Sequence, residues 1–240
     1  FGIGADWDDS FLDALVAPSG GLVEYIDTPQ KIVSALQKRL RDLGETHAHQ
    51  VTLRAEWPQS IELLDSFRLT PYAQPLQPDG GKIALGDIEG AAALSFVLAF
   101  SVKPQPIATR IRIPLHFSAE LPGHGIHNLD QQIQLSVVAD PPPVDPPPDV
   151  IRAVRLLTLY HLHERAWQEA ESGRTALAVE SMRHLSTRLL EAGAPDLARQ
   201  ADFEAQQLLQ TGGVSPSGRK RLKYGTRALT RKAIQLDWDD

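Results

Sequence analysis

At 240 residues, with no cysteine and a formal charge of −6, the chain is longer than one typical domain and has neither disulfides nor thiolate zinc sites. No apolar run approaches the ~20 residues that span a bilayer, so a soluble protein acting without a membrane is expected. A start at Phe1 without an initiator methionine leads us to expect a fragment, a processed product or a trimmed chain. The charge is uneven. Arg219, Lys220, Arg221, Lys223, Arg227, Arg231 and Lys232 put seven cations near the C-terminus with no acid among them, which leaves −13 for the rest of a chain that carries −6.

In chain order, 1–4 reads as a short apolar strand ending in glycine, and Ala5-Asp6-Trp7-Asp8-Asp9-Ser10 leads into Phe11, Leu12, Leu15 and Val16 at helical spacing. Asp8 or Asp9 suits the cap of that helix, since a short carboxylate accepts the free amide hydrogens of a first turn. Gly20-Gly21 ends the helix, 21–26 reads as a second strand, and Thr28-Pro29 opens a helix striped by Ile32, Val33, Leu36, Leu40 and Leu43. Period-two alternation then takes over. Val51, Leu53, Ala55 and Trp57 alternate with polar residues, and further strand runs follow at 61–69, 94–100, 107–117 and 133–137. With no helical period between them, they predict an all-β sandwich over 46–139.

Residues 140–149 hold two Pro-Pro-Pro triplets, a semi-rigid spacer of up to ~31 Å at ~3.1 Å per residue. From Val150 the period is helical. Apolar spacing and the breaks at Ser172-Gly173, Gly193-Ala194-Pro195 and Gly212-Gly213 define an antiparallel three-helix segment over 150–212, with 213–240 as a basic tail. The fold class is therefore multidomain α+β: a β-α-β-α piece of a doubly wound α/β domain over 1–44, the sandwich, then the helices.

Gly2-Ile3-Gly4-Ala5-Asp6 with Phe11-Leu12, then Gly20-Gly21, then Tyr25-Ile26-Asp27-Thr28-Pro29 resembles the last two β-α units of a bacterial von Willebrand factor A domain. Val51-Thr52-Leu53, Leu63-Leu64-Asp65, Arg68-Leu69 and the Leu85-Gly86-Asp87 turn are similar to the β module that often follows it. Tyr224-Gly225-Thr226-Arg227 resembles the closing signature of that group. The resemblance implies a cytoplasmic, non-enzymatic protein-protein interaction scaffold. It also implies that any Mg²⁺ belongs to an Asp-x-Ser-x-Ser loop, which this sequence lacks; those ligands lie in parts of the domain outside this chain, and no cofactor is expected here.

Other chemistry is thin. Asp6, Asp8 and Asp9 could together attract a hard cation, but an acidic helix cap and solvated loop account for them better. His124 and His127 could form half a zinc site, yet no third ligand is near in sequence. His161 and His163 point to different faces of a helix, and nothing accompanies His47 and His49. No phosphate loop or nucleophile elbow is present. The candidate partner-binding residues are Arg219, Lys220, Lys223, Tyr224 and Arg227, whose charge and one aromatic give the alternative reading of an adaptor that binds nucleic acid or an acidic partner. The acidic body argues against nucleic acid, and Leu222, Leu229, Ala233 and Ile234 suggest instead that the segment docks back, with Tyr224 and Leu229 as anchors and Gly225 making a turn.

Overall fold

A computed structural model describes residues 1–4, 6–44, 46–71, 73–89, 93–141 and 143–235. The chain divides into two compact units, one of Phe1–Asp9, Val23–Ser34 and Pro148–Asp240, the other of Ser10–Leu22 and Ala35–Pro147. The first 44 residues thus contribute to both.

The second unit is built on two sheets. Its long strands are β3 (Thr46–Ala55), β4 (Ile61–Thr70), β7 (Lys82–Glu89), β8 (Ser95–Val102), β9 (Arg110–Leu121) and β10 (Gly125–Ser136), with short strands β5 (Gln74–Pro75) and β6 (Pro78–Asp79). They form a five-stranded sheet of order β10-β9-β3-β7-β6 and a three-stranded sheet of order β5-β4-β8. Alternation explains the pairing of faces: Val51, Leu53 and Ala55 of β3, Ile83 and Leu85 of β7, and Ile111, Ile113 and Leu115 of β9 bury one side in a core shared with Ile61 of β4. Phe96, Leu98 and Phe100 of β8 pack on it from the smaller sheet.

Two sequence expectations change here. Leu85-Gly86-Asp87 is not a turn but lies inside β7, where its pairing with β3 slips register on either side of Val51. A glycine inside a strand marks such an irregularity. His124 sits in the turn between β9 and β10, while His127 is already in β10. That strand begins earlier than the 133–137 run because the apolar residues of its first half, Ile126 and Leu129, stand three apart and do not alternate.

Gly86 has φ +92°, and a Cβ there would stand 2.3 Å from Arg68 Nη1 and 2.6 Å from the Gly20 carbonyl oxygen. Arg68 is 3% exposed, and its Nη1 donates to the carbonyls of Gly20 at 2.6 Å and Leu85 at 2.8 Å. Three of the motifs that carried the family resemblance therefore meet at one guanidinium. Gly86→Ala is expected to cost on the order of 2–4 kcal/mol, combining left-handed strain with displacement of a buried arginine. Urea denaturation of the variant is the check.

In the first unit, β1 (Gly2–Ile3) pairs parallel with β2 (Tyr25–Ile26). The loop after β1 leads to α1 (Asp9–Val16), which belongs to the second unit from Ser10 on, and the loop after β2 runs through a 3₁₀ turn, Pro29–Lys31, to α2 (Ile32–Gly44), which belongs to the second unit from Ala35 on. The rest of the first unit is α3 (Pro148–Glu171), α4 (Thr175–Glu191), α5 (Pro195–Thr211) and α6 (Pro216–Gln235). Ala166, Trp167, Ala178, Met182, Leu185, Leu189, Ala198, Ala201, Leu208 and Leu222 fill the bundle. Pro148, Pro195 and Pro216 each stand first in their helix, where a missing N–H costs no hydrogen bond. So α3 starts inside the stretch expected to be spacer.

A fourth helix replaces the expected tail. Ser215 caps it: its Oγ accepts the Gly218 N–H at 2.9 Å. Gly225 makes no turn; it lies within α6, and a Cβ on it would stand 2.5 Å from Leu197 of α5. Its role is close approach of two helices.

Candidate functional site

The loop after β1 is short and acidic, and α6 is long and basic; the first unit brings them together. Residues three, four and seven apart on a helix share a face, which places Lys220, Lys223, Tyr224 and Arg227 on one side of α6. That side meets Trp7, Asp9 and Tyr25. Trp7, Tyr25 and Tyr224 form a tilted aromatic cluster with centroids 5.7–6.3 Å apart, and Trp7 Nε1 donates to the Gly4 carbonyl at 2.8 Å. Lys220 Nζ lies 4.7 Å from the centre of the Trp7 ring, and the Arg227 guanidinium lies 5.2 Å from Tyr224 and 6.0 Å from Tyr160 of α3. Such contacts strengthen as water is excluded.

The charged centre is an ion pair. Lys223 Nζ donates to Asp9 Oδ2 at 2.6 Å, with side chains 5% and 10% exposed, and Arg219 Nε stands 3.7 Å from the same oxygen. Arg219 also pairs with Glu171 at the end of α3. Burial works to raise the Asp9 pKa, but the Lys223 hydrogen bond and charge, with Arg219, outweigh it and hold the carboxyl below its ordinary value. The N-terminus of α6 is fixed by Glu204 of α5. That carboxylate, fully buried, accepts the Ser215 N–H at 2.9 Å, the Ser215 hydroxyl at 2.6 Å and the Gln200 amide at 2.9 Å.

Of the five candidate partner-binding residues, Lys220, Lys223, Tyr224 and Arg227 are at most 8% exposed, and Arg219 is bridged to two acids. A cation so enclosed presents no surface to a partner while α6 is seated. Tyr224 is an anchor as expected, but the second anchor is Leu222, fully buried, rather than Leu229, which is only partly buried; the side chains of Arg231, Lys232, Ala233 and Ile234 lie outside the described residues. Sequence reading missed Trp7, Tyr25, Glu204 and Arg68. The signal was present for Tyr25 and Arg68, each inside a motif quoted for the resemblance, but not for Glu204, which is one acid among many on a helix.

The acidic turn does not suit a hard cation. Asp9 Oδ2 is committed to Lys223 and faces Arg219, and among the described residues no group of three or more His, Cys, Asp or Glu is placed to hold a metal ion. His124 sits in an exposed turn and His127 on exposed β10. His49 Nδ1 faces Asp87 at 3.4 Å, and His47 is on the same strand, β3. His161 rests beside Tyr160.

His163 is enclosed in the bundle, 1% exposed, stacked on Trp167 at 4.9 Å, with Nδ1 3.3 Å from Glu164. Burial pushes its pKa below the ordinary 6.5, the Glu164 hydrogen bond and charge opposing only in part, with Lys223 adding to the depression. The unfolded chain then takes up this proton before the folded one does. Stability from this group is complete above about 6.5 and is lost as pH falls through the folded value, with a slope of at most about 1.4 kcal/mol per pH unit. Thermal unfolding should therefore begin to weaken below pH 6.5, and His163→Leu should flatten that part of the profile.

Among the described residues no helix is long and apolar enough to cross a membrane. Residues 148–232 match the family model described as Sll0103-like, C-terminal alpha-helical domain. No curated protein matches the chain. Among solved structures it is similar to the von Willebrand factor type A protein from Catenulispora acidiphila, with TM-score 0.72 and 13% identity over 95% of this chain and 57% of that one. Lesser likenesses are to the ArnB paralog VWA2 from Sulfolobus acidocaldarius, TM-score 0.47, 12% identity, 95% and 55% covered, and to the human COPII-coat protein Sec24c, TM-score 0.49, 10% identity, 95% and 31% covered. The chain spans little more than half the length of the first two, and at such identities the likeness is one of fold. The chain is an α+β protein with von Willebrand A-type structural neighbours, and its helical end matches the Sll0103-like C-terminal domain.

Proposed function

We propose that these residues are the C-terminal portion of a bacterial, cytoplasmic von Willebrand A-type protein that acts without catalysis, as a scaffold for binding another protein. The observation that carries this is the fold shared across 95% of the chain with a von Willebrand type A structure at TM-score 0.72. Local physics supports it. Two parallel strands of two residues each do not make a stable sheet alone, and Ile3 on β1 is 52% exposed, as expected of a strand whose other neighbour lies outside these residues. Open α/β sheets take ligands beyond the carboxyl ends of their strands, which is where the loop holding Trp7 and Asp9 emerges from β1. On this reading the ligand-binding loops belong to the rest of the domain, and α6 braces the turn that adjoins them. Neither nucleic acid nor a membrane is part of the reading.

Calorimetric titration tests it. Residues 1–240 should bind Mg²⁺ and Mn²⁺ no tighter than ~10 μM, and the complete translated polypeptide should bind one of them more tightly. Tight binding by 1–240 that Asp6→Ala abolishes would overturn the reading, as would the lack of binding by the complete polypeptide.

A further inference from the structure

The seam where α3 meets α6 combines charged contacts with polar atoms that have no partner. His163 lies in it, and its Nε2 makes no hydrogen bond. Neither does Nε1 of Trp167, on which the imidazole stacks, nor Oγ1 of Thr226 on α6, and all three side chains are at most 4% exposed. Each such atom costs free energy that water would return if α6 lifted. The charges around the ring come from both helices. α3 presents Glu164, 3.3 Å from Nδ1, and α6 presents Lys223, which Asp9 of the turn after β1 holds in place at 2.6 Å. α4 also packs on α3, but its charged and titratable residues, Glu180, Arg183, His184, Arg188 and Glu191, are all exposed. A carboxylate only accepts, so Nδ1 carries the proton of the neutral ring and an added proton lands on Nε2. Burial and Lys223 oppose a charge there and outweigh Glu164 and the Arg219 backbone carbonyl, which favour it. Glu164 is not free to neutralise the ring alone, because Lys223 and Arg227 already act on it.

We propose that α6 is a proton-sensitive clamp: mild acid places a positive charge on His163 inside the seam, against Lys223, and α6 lifts from α3 and from the turn after β1, baring Lys220, Lys223, Tyr224 and Arg227. Once it has lifted, water reaches the three unsatisfied atoms, and the imidazole holds its proton as a free one does. Lifting therefore takes up one proton at His163. The lifted form gains by at most about tenfold per pH unit below the ordinary 6.5, or up to about thirtyfold at pH 5. Asp9 and Glu164 do not set this window, since both carboxyls are held below their ordinary values and stay charged through it. The device lies within the first unit and does not depend on what the longer protein binds.

Native-state hydrogen exchange of residues 1–240 from pH 7.5 to pH 5, corrected for the intrinsic exchange rate, tests it. Amides of α6 should open about 10- to 30-fold more often at pH 5, and those of α4 and α5 less than about threefold. In His163→Gln, whose side chain does not titrate, the rise in α6 should vanish. No rise in α6, a rise shared equally by α4 and α5, or a rise that persists in His163→Gln overturns the proposal. Should that variant not fold, NMR titration of the His163 Cε1 proton in the unaltered protein decides: a midpoint below 6.5 is expected, and one at or above 6.5 overturns the proposal, because a charged ring would then hold α6 down rather than release it.

Discussion

Lys223→Met is expected to destabilise the unit that contains α6 by about 3–5 kcal/mol, the usual cost of removing one partner from a buried ion pair. The Lys223 side chain is 5% exposed and its ammonium is 2.6 Å from Asp9. Methionine fills much of the same volume, so the loss is electrostatic rather than a cavity. Asp9 is then left in a largely water-free site with only Arg219 at 3.7 Å to offset its charge. Replacing both partners, Asp9→Leu with Lys223→Met, should cost less than Lys223→Met alone, because no uncompensated charge remains. Urea denaturation followed by tryptophan fluorescence checks both. A loss below about 1 kcal/mol for the single variant would mean that the pair is solvated.

Deleting everything after Gly218 is expected to have a larger effect. It removes Leu222, fully buried, and Tyr224, at 8% exposure, each worth roughly 1.5–3 kcal/mol of burial. It also takes the tyrosine out of the cluster with Trp7 and Tyr25, uncovers Leu197 where Gly225 approached, and strands Asp9 and Glu171. A combined loss on the order of 5 kcal/mol or more is comparable with the whole stability of a domain. The truncated chain should therefore show its helical unit unfolded, or melting at least ~10 °C lower, by circular dichroism. Unchanged melting together with salt-dependent binding of DNA or RNA by the intact chain would make the basic segment a polyanion-binding arm instead.

The strands of the larger unit were legible where side chains alternate without interruption, as in Val51, Leu53 and Ala55. β7 was not, because Gly86 breaks its alternation and resembles a turn in sequence; only the position of Arg68 shows why glycine is needed there. The helical end was legible as far as Gly212, since each break carries glycine or proline and each stripe is apolar. α6 was not, because besides Leu222 and Tyr224 it buries Lys220, Lys223, Thr226 and Arg227, and a buried cationic stripe looks like a solvated one until its partners are known. Those partners, Trp7, Asp9 and Tyr25, lie two hundred residues away. No local pattern reports such a pairing.

The basic segment is an internal clamp on the turn after β1, held by the pair of Lys223 with Asp9. A double-mutant cycle on Asp9→Asn and Lys223→Met measures it most directly, because the coupling term isolates the contact from the separate costs of each change. A coupling energy of about 1.5–3 kcal/mol in urea denaturation is the predicted result. Additive effects, with a coupling of roughly zero within about 0.5 kcal/mol, would contradict it and return Lys223 to the solvent.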